Sequence, residues 1–217
     1  MAYFPMFLNI EKKHCLVVGG GTVAYRKVLV LLDFGAQVTV IAPEVLPQIR
    51  SLDKERVEVL LRTFAESDLK GCALVVAATG DEEQNHAVSV LAQAQNIPVN
   101  AVDQKEDCTF IFPSYVRRQN LVGAFSSGGN SPVMTQYLKH RCEEVLQAEL
   151  GEVNEYMGSI RDVVKEQVSG EALRKKVYCR VLEELLPETG GQSHSRKTAL
   201  SDEKLQDIIA QILEENG

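Results

Sequence analysis

Leu16 to Lys27 reads LVVGGGTVAYRK, an apolar run, three consecutive glycines and a helix-like stretch. Within it, Gly19 to Ala24 fit G-x-G-x-x-A, and a strand before and a helix after give that pattern its meaning. Gly19 permits a tight turn, Gly21 lets the backbone approach a pyrophosphate, and Ala24 lets helix and strand pack closely. Free N–H groups where the helix begins, at Thr22 and Val23, then meet the phosphate charge. The competing reading is a glycine-rich strand-to-helix turn that holds no ligand.

A dinucleotide site of this kind expects an acid at the end of the second strand to hold the ribose hydroxyls. The sequence there is Ile41-Ala42-Pro43-Glu44. Either Glu44 reaches back, or backbone groups around Ala42 and Pro43 hold the ribose. No arginine stands immediately after that strand to receive a 2′-phosphate, which favours NAD over NADP. Thr79, closing the fourth strand, and Asn100, in the fifth, complete the candidate cofactor contacts.

Asp103 stands just after the fifth strand, "IPVNAVD", at the carboxyl end where open α/β sheets place their ligands. A carboxylate there could accept a proton in a dehydrogenation, or it could merely cap a turn before Lys105-Glu106-Asp107. "SSGGNSP", Ser126 to Pro132, precedes a helix, with Ser131 as N-cap and proline at N1. It reads equally as a capped loop and as a seat for a carboxylate. The four histidines, His14, His86, His140 and His194, share no close metal-ligand spacing, so no permanent metal site is expected.

These residues need elements to position them. "CLVV", "QVTVIAP", "RVEVLLR", "CALVVAAT" and "IPVNAV" read as strands, separated by helical or irregular stretches. The first helix ends before Gly35, a C′ glycine, and Thr79 with Glu82 has capping-box spacing for a helix through about Gln95. Continuous apolar strands in β-α-β order predict an open, parallel, Rossmann-type sheet covered on both faces. Beyond it, "CTFIFP" and "LVGAFSS" are strand-like, joined by the polar "SYVRRQN". Helical periodicity then predicts helices over Val133–Leu150, Val153–Val168, Glu171–Leu186 and Asp202–Glu215. "PETGGQSHSRKTALS", Pro187 to Ser201, reads as a mobile linker. The expected division is 1–113, 114–150 and 151–217.

With 217 residues, 45% of them hydrophobic and 24% charged, the chain has the balance of a folded globular protein. Its net charge of −7 argues against a nucleic-acid partner, which needs a dominant basic face. No apolar run is long enough to span a bilayer and no signal peptide is evident, so a cytoplasmic location is expected. Five cysteines with no C-x-x-C pair indicate buried free thiols.

Three stretches, "FPMFLNIEKKHCLVVGGGTVAYRK", "NAVDQKEDCTFIFPSYVRR" and "AFSSGGNSPVMTQYLK", resemble in order and spacing the precorrin-2 dehydrogenase family. That family includes the N-terminal part of sirohaem synthase and bifunctional dehydrogenase–ferrochelatases. The resemblance covers about Tyr3 to Leu150 and, in a chain without room for a methyltransferase module, looks like the stand-alone form. It implies NAD-dependent oxidation of precorrin-2 to sirohydrochlorin in tetrapyrrole synthesis, with ferrous iron as a candidate further substrate in a ferrochelatase step. It also implies a homodimer joined after Pro113 and a helical C-terminal domain.

By the same resemblance, Asp103 matches the family's catalytic aspartate and Ser127 a serine at its active site. A macrocycle rich in carboxylates calls for concentrated positive charge, for which Arg117-Arg118 and Lys139-His140-Arg141 are the clusters available. Those clusters read equally as solvated or dimer-interface charge. A module that senses NAD without chemistry is the alternative function; Asp103 and the "SSGGNSP" loop argue against it.

Overall fold

A computed structural model describes residues 3–186 and 197–216. The linker reading of Pro187 to Ser201 therefore lies largely outside the described residues, as does His194. The chain divides into two compact units, Met1–Phe112 and Pro113–Gly217.

The first unit is built on β1 (His14–Val18), β2 (Gln37–Ile41), β3 (Val57–Leu60), β4 (Leu74–Ala77) and β5 (Val99–Ala101). They form one parallel sheet in the order β3-β2-β1-β4-β5. Alternate residues of each strand face opposite sides, and both sides are apolar, so the strands read as unbroken hydrophobic runs. Cys15, Val17, Val38, Val40 and Val76 pack under Ala24, Val28 and Leu31 of helix α1 (Thr22–Asp33). Leu16, Val18, Ile41, Val75 and Val99 pack under Val88 and Ala92 of helix α3 (Glu82–Ala94). A short helix α2 (Pro47–Arg50) follows β2. The expected α/β, Rossmann-type sheet is thus present.

The start of α3 corrects the sequence reading. Asp81, not Thr79, caps it, its carboxylate accepting the Glu83 and Gln84 N–H groups at 3.0 and 3.2 Å. The Thr79 hydroxyl turns inward instead, 2.8 Å from Oδ1 of the buried Asn85.

In the second unit β6 (Ser114–Arg118) and β7 (Leu121–Phe125) form an antiparallel hairpin, followed by α4 (Pro132–Val145), α5 (Ala148–Ser159), α6 (Arg161–Gln167), α7 (Glu171–Leu185) and α8 (Asp202–Glu214). Here "SYVRRQN" supplies the strand, whereas "CTFIFP" forms none. Val116 is the buried inward residue of β6, and Gln119 turns at φ 52°. Residues 108–112 are held otherwise: Thr109 N–H donates to the Val99 carbonyl at 2.9 Å, and Phe110 and Phe112 pack on the core beside α1. The expected helix over Val133–Leu150 breaks at Leu146–Gln147, and the next breaks at Ile160, which ends α5 and starts α6. Val153, Val164, Val177, Val181 and Ile208 centre the helical core. None of the described helices is long and apolar enough to cross a membrane.

Ile208 is 1% exposed, so Ile208→Ala leaves a cavity and lowers unfolding free energy by about 2–5 kcal/mol. Urea unfolding checks this, and a loss below about 1 kcal/mol counts against the described core.

Burial pushes the Cys15 thiol up to about 12 and the Cys72 thiol up to about 11, while Cys179 is exposed. Only the thiolate is nucleophilic, and at pH 8 about one Cys15 in ten thousand carries it. Alkylation of the native protein at that pH is expected to modify Cys179 first and Cys15 last. Peptide mapping after timed quenching reads the order.

Candidate functional site

A cavity of about 590 Å³ opens at the carboxyl ends of all five strands of the first unit. Each strand contributes the residues that follow it: 19–23 after β1, 42–44 after β2, 62–64 after β3, 78–80 after β4, and Val102 with Asp103 after β5. Backbone bonds carry the sheet's order into these loops. Gly19 N–H donates to the Ile41 carbonyl at 2.8 Å, Ala78 N–H to Val18 at 2.7 Å, and Val102 N–H to Ala77 at 2.9 Å.

The glycines are fixed by crowding on two sides and openness on the third. A Cβ on Gly19, which lies at φ 128°, would stand 2.2 Å from the Ala78 carbonyl oxygen; one on Gly20 would stand 2.1 Å from that of Glu44. On Gly21 it would meet nothing within 4 Å and would project into open space. Gly21 is also the N-cap of α1, with no side chain capping the helix and no acid in its first turn. Exposed amide groups and the helix dipole are left facing that space, and they fit a pyrophosphate.

The loop after β4 is clamped by Asn85. Its Oδ1 accepts the Thr79 N–H at 3.0 Å and its Nδ2 donates to the Thr79 carbonyl at 3.2 Å. Both polar groups of one loop residue are therefore tied to α3, which keeps the Ala78 carbonyl pressed against Gly19.

At the β5 end, Asp103 is exposed and adopts φ 61°. The Lys27 ammonium of α1 lies 3.8 Å from the centre of the Phe112 ring. Burial lowers the Lys27 pKa, and the negative charge of Asp103 opposes that shift.

At the β3 end stands an arginine that the sequence reading missed. Arg62 Nη1 and Nη2 donate to Asp68 Oδ2 and Oδ1 at 2.8 and 2.6 Å. Asp68 Oδ2 also accepts the Ala65 N–H at 2.8 Å. The Arg62 hydrogen bond holds the Asp68 carboxyl below the usual carboxylate range, aided by that amide and opposed by burial. The available signal was positional: β3 lies next to β2, so the residues after it border the same crevice.

Of the sequence-derived candidates, Gly19, Gly21, Thr22, Val23, Pro43, Glu44, Thr79 and Asp103 line this one cavity. Asn100 does not. It is buried and donates to the Phe110 carbonyl at 3.0 Å, anchoring the segment that carries the two phenylalanines. Ser127, Arg117, Arg118 and Lys139 lie in the second unit. Ser127 Oγ accepts the Ser131 N–H at 3.0 Å, and Ser131 Oγ caps α4 by accepting the Met134 N–H at 3.1 Å. Arg117 Nε donates to the Gln119 carbonyl at 2.8 Å, Arg118 Nη1 to that of Arg117 at 2.9 Å, and Lys139 Nζ lies 3.8 Å from Glu143.

Comparison with known proteins agrees with this geometry. The chain is 41% identical over 203 residues to a siroheme synthase of Methylobacillus flagellatus, covering 92% of this chain and 44% of that one. To the siroheme synthase of Nitrosococcus oceani it is 39% identical, covering 92% and 43%. The chain thus spans less than half the length of these relatives. Its backbone is similar to that of SirC, precorrin-2 dehydrogenase, at a TM-score of 0.73 and 24% identity, over 98% of this chain and 100% of that one. A family model described as "Putative NAD(P)-binding" matches residues 6–114, half of the chain and the whole of the cavity just described. With the glycine cradle and the five-stranded sheet both inside that match, the chain belongs to this NAD(P)-binding family.

Proposed function

We propose that the chain catalyses the NAD-dependent oxidation of precorrin-2 to sirohydrochlorin in siroheme synthesis. The observation that carries the reading is a carboxylate, Asp103, in the same cavity as the glycine cradle, on the side away from β2 and β3, where Glu44 is the other lining carboxylate. The names of its relatives, siroheme synthase and precorrin-2 dehydrogenase, supply the substrate.

When bound, NAD supplies the acceptor for a hydride. The chain's residues do the rest. Gly19 and Gly21 would let the backbone come close to the pyrophosphate, and the N–H groups of Thr22 and Val23 would face its charge. Pro43 and Glu44 would border the ribose, and Thr79, held by Asn85, would close the wall beside it. Loss of a hydride from the macrocycle leaves a proton to be removed, and the Asp103 carboxylate accepts it as a general base. Asn100 acts at one remove by fixing the segment after Asp103. Ser127, Arg117, Arg118 and Lys139 are assigned to the carboxylates of the tetrapyrrole.

The same proposal extends to ferrous iron as a further substrate, a cytoplasmic setting and a homodimer. Support for the dimer is the exposed apolar surface of α4, where Val133, Tyr137 and Val145 are 79%, 58% and 73% exposed.

Incubation with precorrin-2 and NAD is expected to yield NADH, followed by its absorbance; no NADH from the wild type rejects the activity. Asp103→Ala is expected to lower turnover by about 10²–10⁴-fold while NAD affinity stays nearly unchanged. Undiminished turnover removes Asp103 from the chemistry and revives the sensing alternative. Gly21→Asp puts a carboxylate into the open space before the α1 amides. It is expected to weaken NAD binding by at least about tenfold in calorimetry, with the thermal transition preserved. Unaltered affinity contradicts the cradle.

A further inference from the structure

We infer that Asp68 determines nucleotide specificity: by pairing with both terminal nitrogens of Arg62 it withholds that guanidinium from a ribose 2′-phosphate, so the cavity takes NAD in preference to NADP. The inference rests on the nucleotide-binding part of the proposed function and not on the tetrapyrrole chemistry.

The order β3-β2-β1-β4-β5 sets the cavity's direction. A pyrophosphate at the start of α1 lies over β1, with the ribose that carries a 2′ substituent toward the end of β2. The residues beyond that ribose are those after β3. Asp103, after β5, stands at the other end. Glu44 and Arg62 are the charged residues bordering the ribose end among the described lining residues, and Arg62 is the cation of the two.

Arginine is the usual partner of a 2′-phosphate, and its fork of donors is suited to bidentate capture of an anion. In this chain the fork is already taken. Arg62 gives Nη1 and Nη2 to the two oxygens of Asp68, and Nη1 also donates to the Thr63 carbonyl at 3.0 Å. Asp68 is built into its position. It accepts the Ala65 N–H, belongs to the turn Glu66–Leu69 whose Leu69 is fully buried, and its side chain is 11% exposed against 44% for Arg62. The arginine has therefore come to the aspartate. Glu58, on β3, adds a further negative charge near the same guanidinium.

A 2′-phosphate, carrying close to two negative charges at neutral pH, would meet the Glu44 carboxylate and an arginine whose charge Asp68 has neutralised. A 2′-hydroxyl meets neither penalty and could donate to Glu44.

The experiment is titration calorimetry of the full chain with NAD and with NADP, without any tetrapyrrole. The wild type is expected to bind NAD at least about tenfold more tightly than NADP. Asp68→Asn keeps an acceptor oxygen for the Ala65 N–H but removes the charge that engages Arg62. It is expected to tighten NADP binding by roughly tenfold and to move NAD by less than about threefold. Adding Arg62→Ala to Asp68→Asn is expected to abolish the gain. Arg62→Ala alone, which leaves the turn intact and the Asp68 carboxylate unpaired, is expected to move NAD by less than about threefold and to give no gain in NADP binding. An NADP/NAD ratio unchanged by Asp68→Asn overturns the inference while NAD binding stands. So does a gain of NADP binding in Arg62→Ala, which leaves no guanidinium to release. A wild type that binds neither nucleotide overturns both the inference and the reading beneath it.

Discussion

The site depends on how closely three chain segments approach one another around Gly19 and Gly20. With a side chain barred at 2.2 Å by the Ala78 carbonyl and at 2.1 Å by that of Glu44, the loops after β1, β2 and β4 are held at backbone contact. That contact makes a continuous wall of peptide groups at the mouth of the sheet. Gly21 alone faces open space, and the same run of glycines therefore does two opposite things: two positions close a gap and the third leaves one. The clamp of Asn85 on both polar groups of Thr79 keeps the far side of this contact from relaxing. Its own burial supplies the cost of letting go, since an amide withdrawn from those bonds would stay unsatisfied in the interior.

Charge is distributed along the cavity in a way that length and net charge conceal. A chain of net charge −7 opens its cofactor-binding crevice on helix amides instead of on basic side chains. The arginine that borders the crevice is paired, and the lysine near Asp103 is drawn over an aromatic ring and half-buried. Lys27 is thus placed to soften the negative charge of Asp103 without occupying its carboxylate, since its ammonium rests on the Phe112 face. The positive ends of peptides, fixed by the backbone, take the place that mobile side chains would otherwise fill.

Much of this was legible in the sequence because the signals were local. Continuous apolar runs such as Leu74–Ala77 mean strands covered on both faces, and Gly19–Ala24 between strand and helix mean a dinucleotide turn. What failed depended on contacts between distant residues. Thr79 has the spacing of a helix cap, yet the buried Asn85 recruits its hydroxyl and leaves the cap to Asp81. "CTFIFP" has strand composition, but Thr109 pairs with Val99 and the two phenylalanines turn into the core, so "SYVRRQN" becomes the strand. Asn100, in β5, has a structural partner that its position does not reveal. Its Nδ2 donates to the Phe110 carbonyl of the following segment. Arg62 is not legible from the end of the second strand, because it is the neighbouring third strand that delivers it to the same crevice.

Asp103 shows how the fold holds a residue where local preference would not put it. A non-glycine residue at φ 61° costs on the order of 1–3 kcal/mol and persists where its surroundings over-determine it. The surroundings do so on both sides. Before it, Val102 N–H is tied to the Ala77 carbonyl. After it, Gln104 Nε2 donates to the Glu82 carbonyl at 2.9 Å, and Asp107 is bound twice to α3, by His86 at 2.8 Å and by Ser89 at 2.6 Å. Beyond these, Thr109 returns to Val99. A turn whose sole purpose was to leave the sheet would gain more from glycine at that position, where φ above zero carries no steric cost. The aspartate sits at this angle, exposed, at the carboxyl end of the strand, lining the same cavity as the cradle. Asp103, which lines the cavity, and not the exposed Glu106 a few residues later, is therefore the carboxylate to which the proposed proton-accepting role falls.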